Sequence, residues 1–170
     1  MKNIIKNSIG AALCCSCLVL NAFTFDDIHF WVGEGTNQVA IVIDWNNDNQ
    51  NKSLCWGYRW NGEPRSATQI LKELAEADNR LHVAISTSTW GGSLDALGYD
   101  INDNASYFLT NKSTDALDWC SSNPNTHYWS QSYATDTVSF DSAQWQYYST
   151  GIDGQMLENN TWYFVKYIDW

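Results

Sequence analysis

The segment from residue 30 to residue 60 constrains the fold of this 170-residue chain more than any other part of it. Residues 38–45 are apolar on both faces, which is typical of a strand in the interior of a sheet. Residues 54–60 alternate between an aromatic face and a smaller, more polar face, as a half-buried strand does. The intervening residues 46–51 are rich in Asn and Asp, which favour turns. The segment therefore predicts two paired strands joined by a polar turn.

One helix is predicted after this pair of strands. Ser66 is a good N-cap, and Gln69 three residues later completes a capping box. Small and aliphatic residues then recur at helical spacing as far as the Asp78-Asn79 stop. Shorter alternating segments follow at 81–85, 97–101, 127–133, 145–149 and 162–168. One helix among many strands predicts an α+β fold, with a β-grasp-like mixed sheet and the helix packed on it. A β-sandwich with an inserted helix is the alternative.

The first 22 residues have the layout of a secretory signal peptide. A basic start leads into an uncharged apolar run at 9–20, and the small residue Ala22 stands at the cleavage position. The run is shorter than the roughly 20 apolar residues of a membrane-spanning helix. We therefore expect residues 23–170 to be a single α+β domain that is secreted or periplasmic and does not insert into a membrane after cleavage. Lipid attachment at a cysteine of the apolar run is the alternative.

Signal cleavage leaves two cysteines, Cys55 and Cys120. An even pair in an oxidising compartment predicts a disulfide. The loop that it closes is long, so its stabilisation would be on the order of 4 kcal/mol. Two buried free thiols are the alternative.

The chain is acidic, with a formal net charge of −10. Without Lys2 and Lys6, seven basic residues face 19 acidic ones, which gives −12. Such a surface repels the phosphates of nucleic acids and anionic lipids. Nucleic acid is therefore not an expected partner, whereas a cationic or neutral small molecule is compatible with this charge. The oligomeric state is left open.

Two sequence runs, WVGEGTNQVAIVIDWN and WGYRWNG, lie between residues 31 and 62. They resemble a group of small secreted bacterial proteins of unassigned function that share a WVGEG…VIDWN…WGYRW pattern. This resemblance implies secretion and no particular activity. In layout, the chain also resembles the C-terminal domain of transcobalamin and intrinsic factor, with corresponding pieces at 67–74, 128–129 and 157–167. That domain is a β-grasp that covers one face of a corrinoid, so the resemblance implies a corrinoid or other tetrapyrrole as the most concrete ligand.

Aromatic side chains are the first candidate for a binding site. Trp56, Tyr58 and Trp60 share one face of their predicted strand. If that face is exposed, the row is a platform for a flat or sugar-like ligand, and if it is buried, the row is core packing. Trp90 and Trp129 are expected near loops, which often carry function. With two polar anchors, the predicted ligand-binding residues are Trp56, Tyr58, Trp60, Trp90, Trp129, Asp44 and Arg59.

Two turns with alternating Asp and Asn are the second candidate site. Such turns supply the hard oxygen ligands that calcium prefers, and Asp44, Asp48 and Asp100 are the candidate ligands. An EF-hand is excluded, because its sixth and twelfth positions would be Asn49 and Cys55. Solvated turns without metal are the alternative.

The sequence contains no recognisable catalytic motif. It lacks GxSxG and HExxH, and Glu34 is a single carboxylate where a glycosidase needs two. We therefore expect a secreted, non-catalytic domain that binds a small ligand. A structural or adhesive cell-envelope protein without a small ligand is the first alternative, and a carbohydrate-active enzyme is the second.

Overall fold

The structure is a computed structural model that describes residues 23–46, 53–89, 91–103, 119–121, 127–135 and 145–169. The predicted signal segment, Asp48 and Trp90 lie outside these residues. The described residues form a mixed α+β fold, as predicted, in which strands predominate and one α-helix packs on a mixed sheet.

The strands are numbered in chain order. They are β1 (Trp31–Val32), β2 (Asn37–Asp44), β3 (Ser53–Trp60), β4 (Arg65–Ser66), β5 (Leu81–Ser88), β6 (Gly91–Tyr99), β7 (Trp119–Ser121), β8 (His127–Thr135), β9 (Gln146–Tyr147), β10 (Met156–Leu157) and β11 (Thr161–Asp169). The helix α1 (Ala67–Ala77) follows β4, and the described residues also form two short 3-10 helices, Phe25–Asp27 and Ile152–Gly154. With 11 residues, α1 is too short to cross a bilayer, and the described part of the chain has no longer apolar helix.

The main sheet has six strands in the order β1-β3-β2-β11-β8-β9. Its two central strands, β2 and β11, run parallel, and each has an antiparallel partner on its outer side, β3 and β8 respectively. Both central strands are apolar on both faces, which is why neither lies at an edge. The sequence therefore correctly predicts that the first and last long strands are interior strands.

The helix covers one face of this sheet, which we call the inner face. Its start is the predicted N-cap, where the Ser66 hydroxyl accepts a hydrogen bond from the Gln69 backbone N–H at 3.2 Å. The reciprocal half of the capping box is not seen, and the Gln69 side chain instead donates to Glu73 at 3.0 Å. The aliphatic side of the helix, with Ile70 and Leu74, is fully buried in the main core.

A second sheet, β5-β6-β7, is part of the same core. The sequence predicts a strand at 81–85 and a separate short strand at 97–101, but one long strand, β6, begins at Gly91 and pairs with all of β5. The indole N–H of Trp45 donates to the carbonyl of Leu97 at 3.0 Å, which ties this sheet to the end of β2. The inner face is therefore covered by α1 and by the β5–β6 hairpin together.

The outer face of the main sheet carries a second, smaller core. The segment before β1 lies over it, and the Trp31 indole N–H donates to the carbonyl of Ile28 at 2.9 Å. The ring of Trp31 lies directly over Gly57 of β3, where an added Cβ would approach the ring to 2.3 Å. A glycine is required there because any side chain would displace the tryptophan.

Candidate ligand-binding cleft

The aromatic row of β3 is buried. Trp56, Tyr58 and Trp60 are only 2%, 3% and 2% exposed and belong to the main core under α1. The rings of Tyr58 and Trp60 stack with their centroids 6.0 Å apart. Of the two alternatives that the sequence leaves open, the structure shows core packing rather than an exposed platform, because the helix and the second sheet cover the face to which these side chains point.

The polar atoms of this row are occupied by protein partners. The Trp56 indole N–H donates to the Asp78 carboxylate at 3.1 Å, and the Trp60 indole N–H donates to the Glu63 carbonyl at 2.9 Å. The Tyr58 hydroxyl donates to the Glu73 carboxylate. Burial, together with this carboxylate, raises the pKa of Tyr58 to about 12. The row therefore stabilises the fold and presents no vacant polar group to a ligand.

The structure does not bring the other predicted ligand-binding residues together into one site. Trp129 is buried and contacts Tyr167, with ring centroids 4.9 Å apart. Arg59 lies on the outer face, with its guanidinium 4.2 Å from the centre of the Trp31 ring. Asp44 forms an ion pair with Lys166 at 3.3 Å. Each of these side chains has a local structural role, and Trp90 lies outside the described residues.

Two of the three predicted calcium ligands hold turns together. Asp44 accepts a hydrogen bond from the backbone N–H of Asn46 at 2.8 Å, and the buried Asp100 accepts one from the N–H of Asn102 at 3.1 Å. Asp48 lies outside the described residues. Within the described ranges, no three His, Cys, Asp or Glu side chains are grouped so that they could hold a metal ion. Calcium binding stays a prediction.

The predicted disulfide is not formed in the structure, because Cys55 is a free, half-buried thiol. Strand alternation explains its position, since Trp56 points inward and its neighbour Cys55 therefore belongs to the outer core. Cys120 is in β7 of the second sheet, which covers the inner face. Burial raises the pKa of the Cys55 thiol to about 12, so it is neutral at physiological pH.

A cleft of about 390 Å³ opens beside β8, β9 and β10. Three tyrosines, Tyr133, Tyr147 and Tyr148, form much of its wall, and we call it the tyrosine cleft. Its volume is near the lower end of the range of about 300–1,000 Å³ that is usual for small-molecule sites. None of the residues predicted from sequence to bind a ligand lines it.

The tyrosines of the cleft differ in how firmly they are held. Tyr148 packs between Tyr133 and Tyr163, with ring centroids at 4.8 and 5.9 Å respectively. Burial raises the pKa of Tyr148 to about 12, which keeps its hydroxyl neutral. Tyr147, in contrast, is 73% exposed, the most exposed of the large hydrophobic side chains in the described residues. The cleft thus combines a fixed aromatic base with one aromatic ring open to solvent.

Polar groups surround these rings. Thr135, Ser149, Thr150 and Thr161 bring hydroxyls to the cleft, and Glu158 is the one carboxylate among its described lining residues. Thr161 is already engaged, since its hydroxyl donates to the Glu158 carbonyl at 2.8 Å. Ring faces, hydroxyl donors and a single acid can hold a small polar molecule by stacking and hydrogen bonds. The second carboxylate that a glycosidase requires is not among these residues.

Sequence reasoning missed this cleft. The segment 145–149 is predicted only as an aromatic strand, but β9 comprises just Gln146 and Tyr147 at the sheet edge. The sequence feature that could have indicated the cleft is the run Gln-Tyr-Tyr-Ser-Thr at 146–150, in which the tyrosines have polar neighbours rather than aliphatic ones.

Comparison of the chain with models of protein families, with curated proteins and with solved structures finds no match.

Proposed function

We propose that this protein is a secreted, non-catalytic domain that binds a small, neutral, hydroxyl-bearing molecule in the tyrosine cleft. The observation that carries the proposal is the exposed ring of Tyr147 beside the fixed ring of Tyr148 in a cleft of about 390 Å³. An aromatic side chain that is left open at a concave site, next to hydrogen-bonding groups, is a usual feature of small-molecule sites.

The charge of the site and of the chain selects the ligand class. Glu158 is acidic and the whole chain has a formal charge of −10, so an anionic ligand or nucleic acid would be repelled. Hydroxyls from threonine and serine match the hydroxyls of a carbohydrate, and tyrosine rings match the apolar C–H faces of a sugar. A mono- or disaccharide is therefore the favoured ligand.

A corrinoid or other tetrapyrrole is less favoured at this site. The flat row that would have supported such a ring, Trp56, Tyr58 and Trp60, lies in the core. The tyrosine cleft is also near the lower end of ligand-site volumes, which suits a molecule smaller than a tetrapyrrole. Cobalamin is nevertheless included in the binding test, because the layout of the chain resembles a β-grasp domain that covers a corrinoid.

We further propose a β-grasp architecture and membership of the group of secreted proteins that the runs between residues 31 and 62 resemble. The strand order β3-β2-β11-β8, with the parallel pair β2 and β11 at its centre, supports the β-grasp. The position of α1 after the first hairpin and against the inner face supports it as well.

Isothermal titration calorimetry tests the binding proposal. The purified chain is titrated with maltose, cellobiose, chitobiose and cobalamin, and the measurement is repeated with Tyr147→Ala. The matched control is Tyr128→Ala, an exposed tyrosine of β8 that does not line the cleft. We expect saturable binding of at least one sugar, weakened by Tyr147→Ala and unchanged by Tyr128→Ala. No binding of any of the three sugars, or sugar binding that Tyr147→Ala leaves unchanged, would refute the proposal.

A further inference from the structure

Met156 is a second apolar side chain that the tyrosine cleft exposes to solvent. Among the described residues, it is the most exposed large hydrophobic side chain after Tyr147, and both of them line the cleft. Its exposed fraction is 49%, whereas its neighbour in β10, Leu157, is fully buried in the main core. The strand therefore needs Leu157 for packing and turns Met156 outward. Exposed apolar side chains that border the same cleft indicate a surface that a ligand covers.

A methionine and a tyrosine suit different parts of a ligand. A tyrosine ring stacks on the flat C–H face of a sugar, whereas the thioether of methionine is flexible and polarisable and packs on small apolar groups such as a methyl. The ring of an unsubstituted sugar such as glucose is surrounded by hydroxyls and has no methyl group. Met156 therefore points to a sugar with an apolar substituent.

The polar groups beside Met156 indicate the chemistry of that substituent. Within the described ranges, the carboxylate of Glu158 has no ion pair or hydrogen bond, and the hydroxyls of Thr135, Ser149 and Thr150 make no hydrogen bond. A carboxylate accepts from an N–H, and a hydroxyl can donate to a carbonyl. An acetamido group has an N–H, a carbonyl and a methyl in one substituent, so it matches the carboxylate, the hydroxyls and the methionine together.

We infer that the tyrosine cleft is selective for a sugar with an N-acetyl group, whose ring stacks on Tyr147 and whose methyl packs on Met156. This inference rests on the function proposed for the cleft and narrows its ligand class. A sugar with a methyl but no amide, such as 6-deoxyglucose, would cover Met156 but offer no amide N–H to Glu158. Glucosamine, whose amine is charged, would pair with Glu158 but leave Met156 uncovered. The N-acetyl group suits both side chains.

Four monosaccharides with the same ring test the inference: N-acetylglucosamine, glucose, 6-deoxyglucose and glucosamine. Each is titrated into the purified, ¹⁵N-labelled chain, and the backbone N–H shifts are followed by NMR, which measures millimolar affinities. We expect N-acetylglucosamine to bind roughly 3- to 10-fold more tightly than each of the others, because it alone buries a methyl and also makes the amide hydrogen bonds. The inference is overturned if any of the other three binds as tightly, or if N-acetylglucosamine does not bind.

Variants of Met156 show whether this side chain causes the preference. Met156→Ala removes the thioether, so the affinity for N-acetylglucosamine should fall roughly 3- to 10-fold while that for glucose is unchanged. Met156→Leu keeps an apolar side chain and should keep the preference. Tyr147→Ala should weaken both sugars by the same factor, because stacking on the ring is common to them. A preference for N-acetylglucosamine that Met156→Ala leaves unchanged would overturn the inference.

The inference and the proposed function fail in different ways. If a disaccharide of the calorimetric test binds and Tyr147→Ala weakens it, but N-acetylglucosamine is not preferred over glucose, the cleft is a sugar site without this selectivity and only the inference is refuted. If no sugar binds, the proposed function is refuted and the inference with it. Because Met156 is half exposed, Met156→Ala should remain folded, and urea denaturation of each variant checks this.

Discussion

Among the described residues, two groups of neighbouring aromatic side chains differ in how far they are buried. The row Trp56, Tyr58 and Trp60 on β3 is buried, and each of its polar atoms has a protein partner. In the tyrosine cleft, Tyr148 is half-buried and Tyr147 is largely exposed. Composition does not separate the two groups, because both consist of large rings with a polar atom. The difference is in what covers them: α1 lies over the first group, and the edge strand β9 leaves the second open.

This contrast separates aromatic residues that stabilise the fold from those at the proposed binding site. An aromatic row under a helix contributes buried apolar area and rigid hydrogen bonds, so it stabilises the fold. Aromatic rings at a sheet edge keep part of their surface in water, and a ligand that covers that surface gains the same kind of energy on binding. The aromatic row on β3, which sequence alone lists among the ligand-binding residues, is thus part of the core. The tyrosine cleft lies on the other side of the two central strands.

The largest expected effect comes from Trp56→Ala. Removing a fully packed indole leaves a cavity in the core and takes away one of the donors to the buried carboxylate of Asp78, its acceptor at 3.1 Å. The free energy of unfolding should fall by about 3–5 kcal/mol. Urea denaturation at neutral pH measures it. A loss below about 1 kcal/mol would mean that this row is not the core and would remove the contrast with the cleft.

Raising the pH should weaken both regions together. Burial raises the pKa of Tyr58 and of Tyr148 to about 12, and that of the fully buried Tyr163 well above its usual value of 10.0. Tyrosines of the unfolded chain lose their protons near pH 10. Between about pH 10 and 12 the folded state therefore binds more protons, and the free energy of unfolding must fall as the pH rises.

Urea denaturation at a series of pH values, with tyrosinate absorbance followed in parallel, measures this loss. Tyr148→Phe should reduce it by removing the contribution of the cleft, and Tyr58→Phe should reduce it by removing that of the core row. A stability that stays constant across this window would show that these hydroxyls ionise as readily in the folded protein as in the unfolded one.

Sequence reasoning succeeded where one local pattern decides the structure. The interior strands at residues 38–45 and 162–168 and the helix after Ser66 follow from apolar periodicity and a cap. It failed where the outcome depends on what lies across the sheet. The alternation of β3 predicts that Trp56 and Cys55 point to opposite faces, but not which face α1 covers or that Cys55 lies away from β7.

A smaller effect on the free energy of unfolding is expected when one hydrogen bond is removed from each region, by Tyr58→Phe in the aromatic row and by Tyr133→Phe in the tyrosine cleft. The Tyr58 hydroxyl donates to Glu73 at a partly buried position, whereas the Tyr133 hydroxyl donates to Gln146 at an exposed position, at 2.6 Å. A hydrogen bond to a carboxylate is worth about 1.5–3 kcal/mol, so Tyr58→Phe should lower the free energy of unfolding by about that amount. Tyr133→Phe should lower it by less than about 0.5 kcal/mol. Equal losses in urea denaturation would contradict the division between the two regions.

The smallest expected effect on stability belongs to Tyr147→Ala. Its ring is 73% exposed, so truncation removes little buried surface and the free energy of unfolding should change by no more than about 0.5 kcal/mol. The affinity of the Tyr147→Ala variant for a sugar should nevertheless be roughly 3- to 10-fold weaker, since an aromatic contact is worth about 0.5–1.5 kcal/mol. Urea denaturation and calorimetry on the same preparation measure the two quantities. A large loss of stability would make Tyr147 a structural residue like Trp56, whereas lost affinity in a fully stable variant is the result that only a binding residue gives.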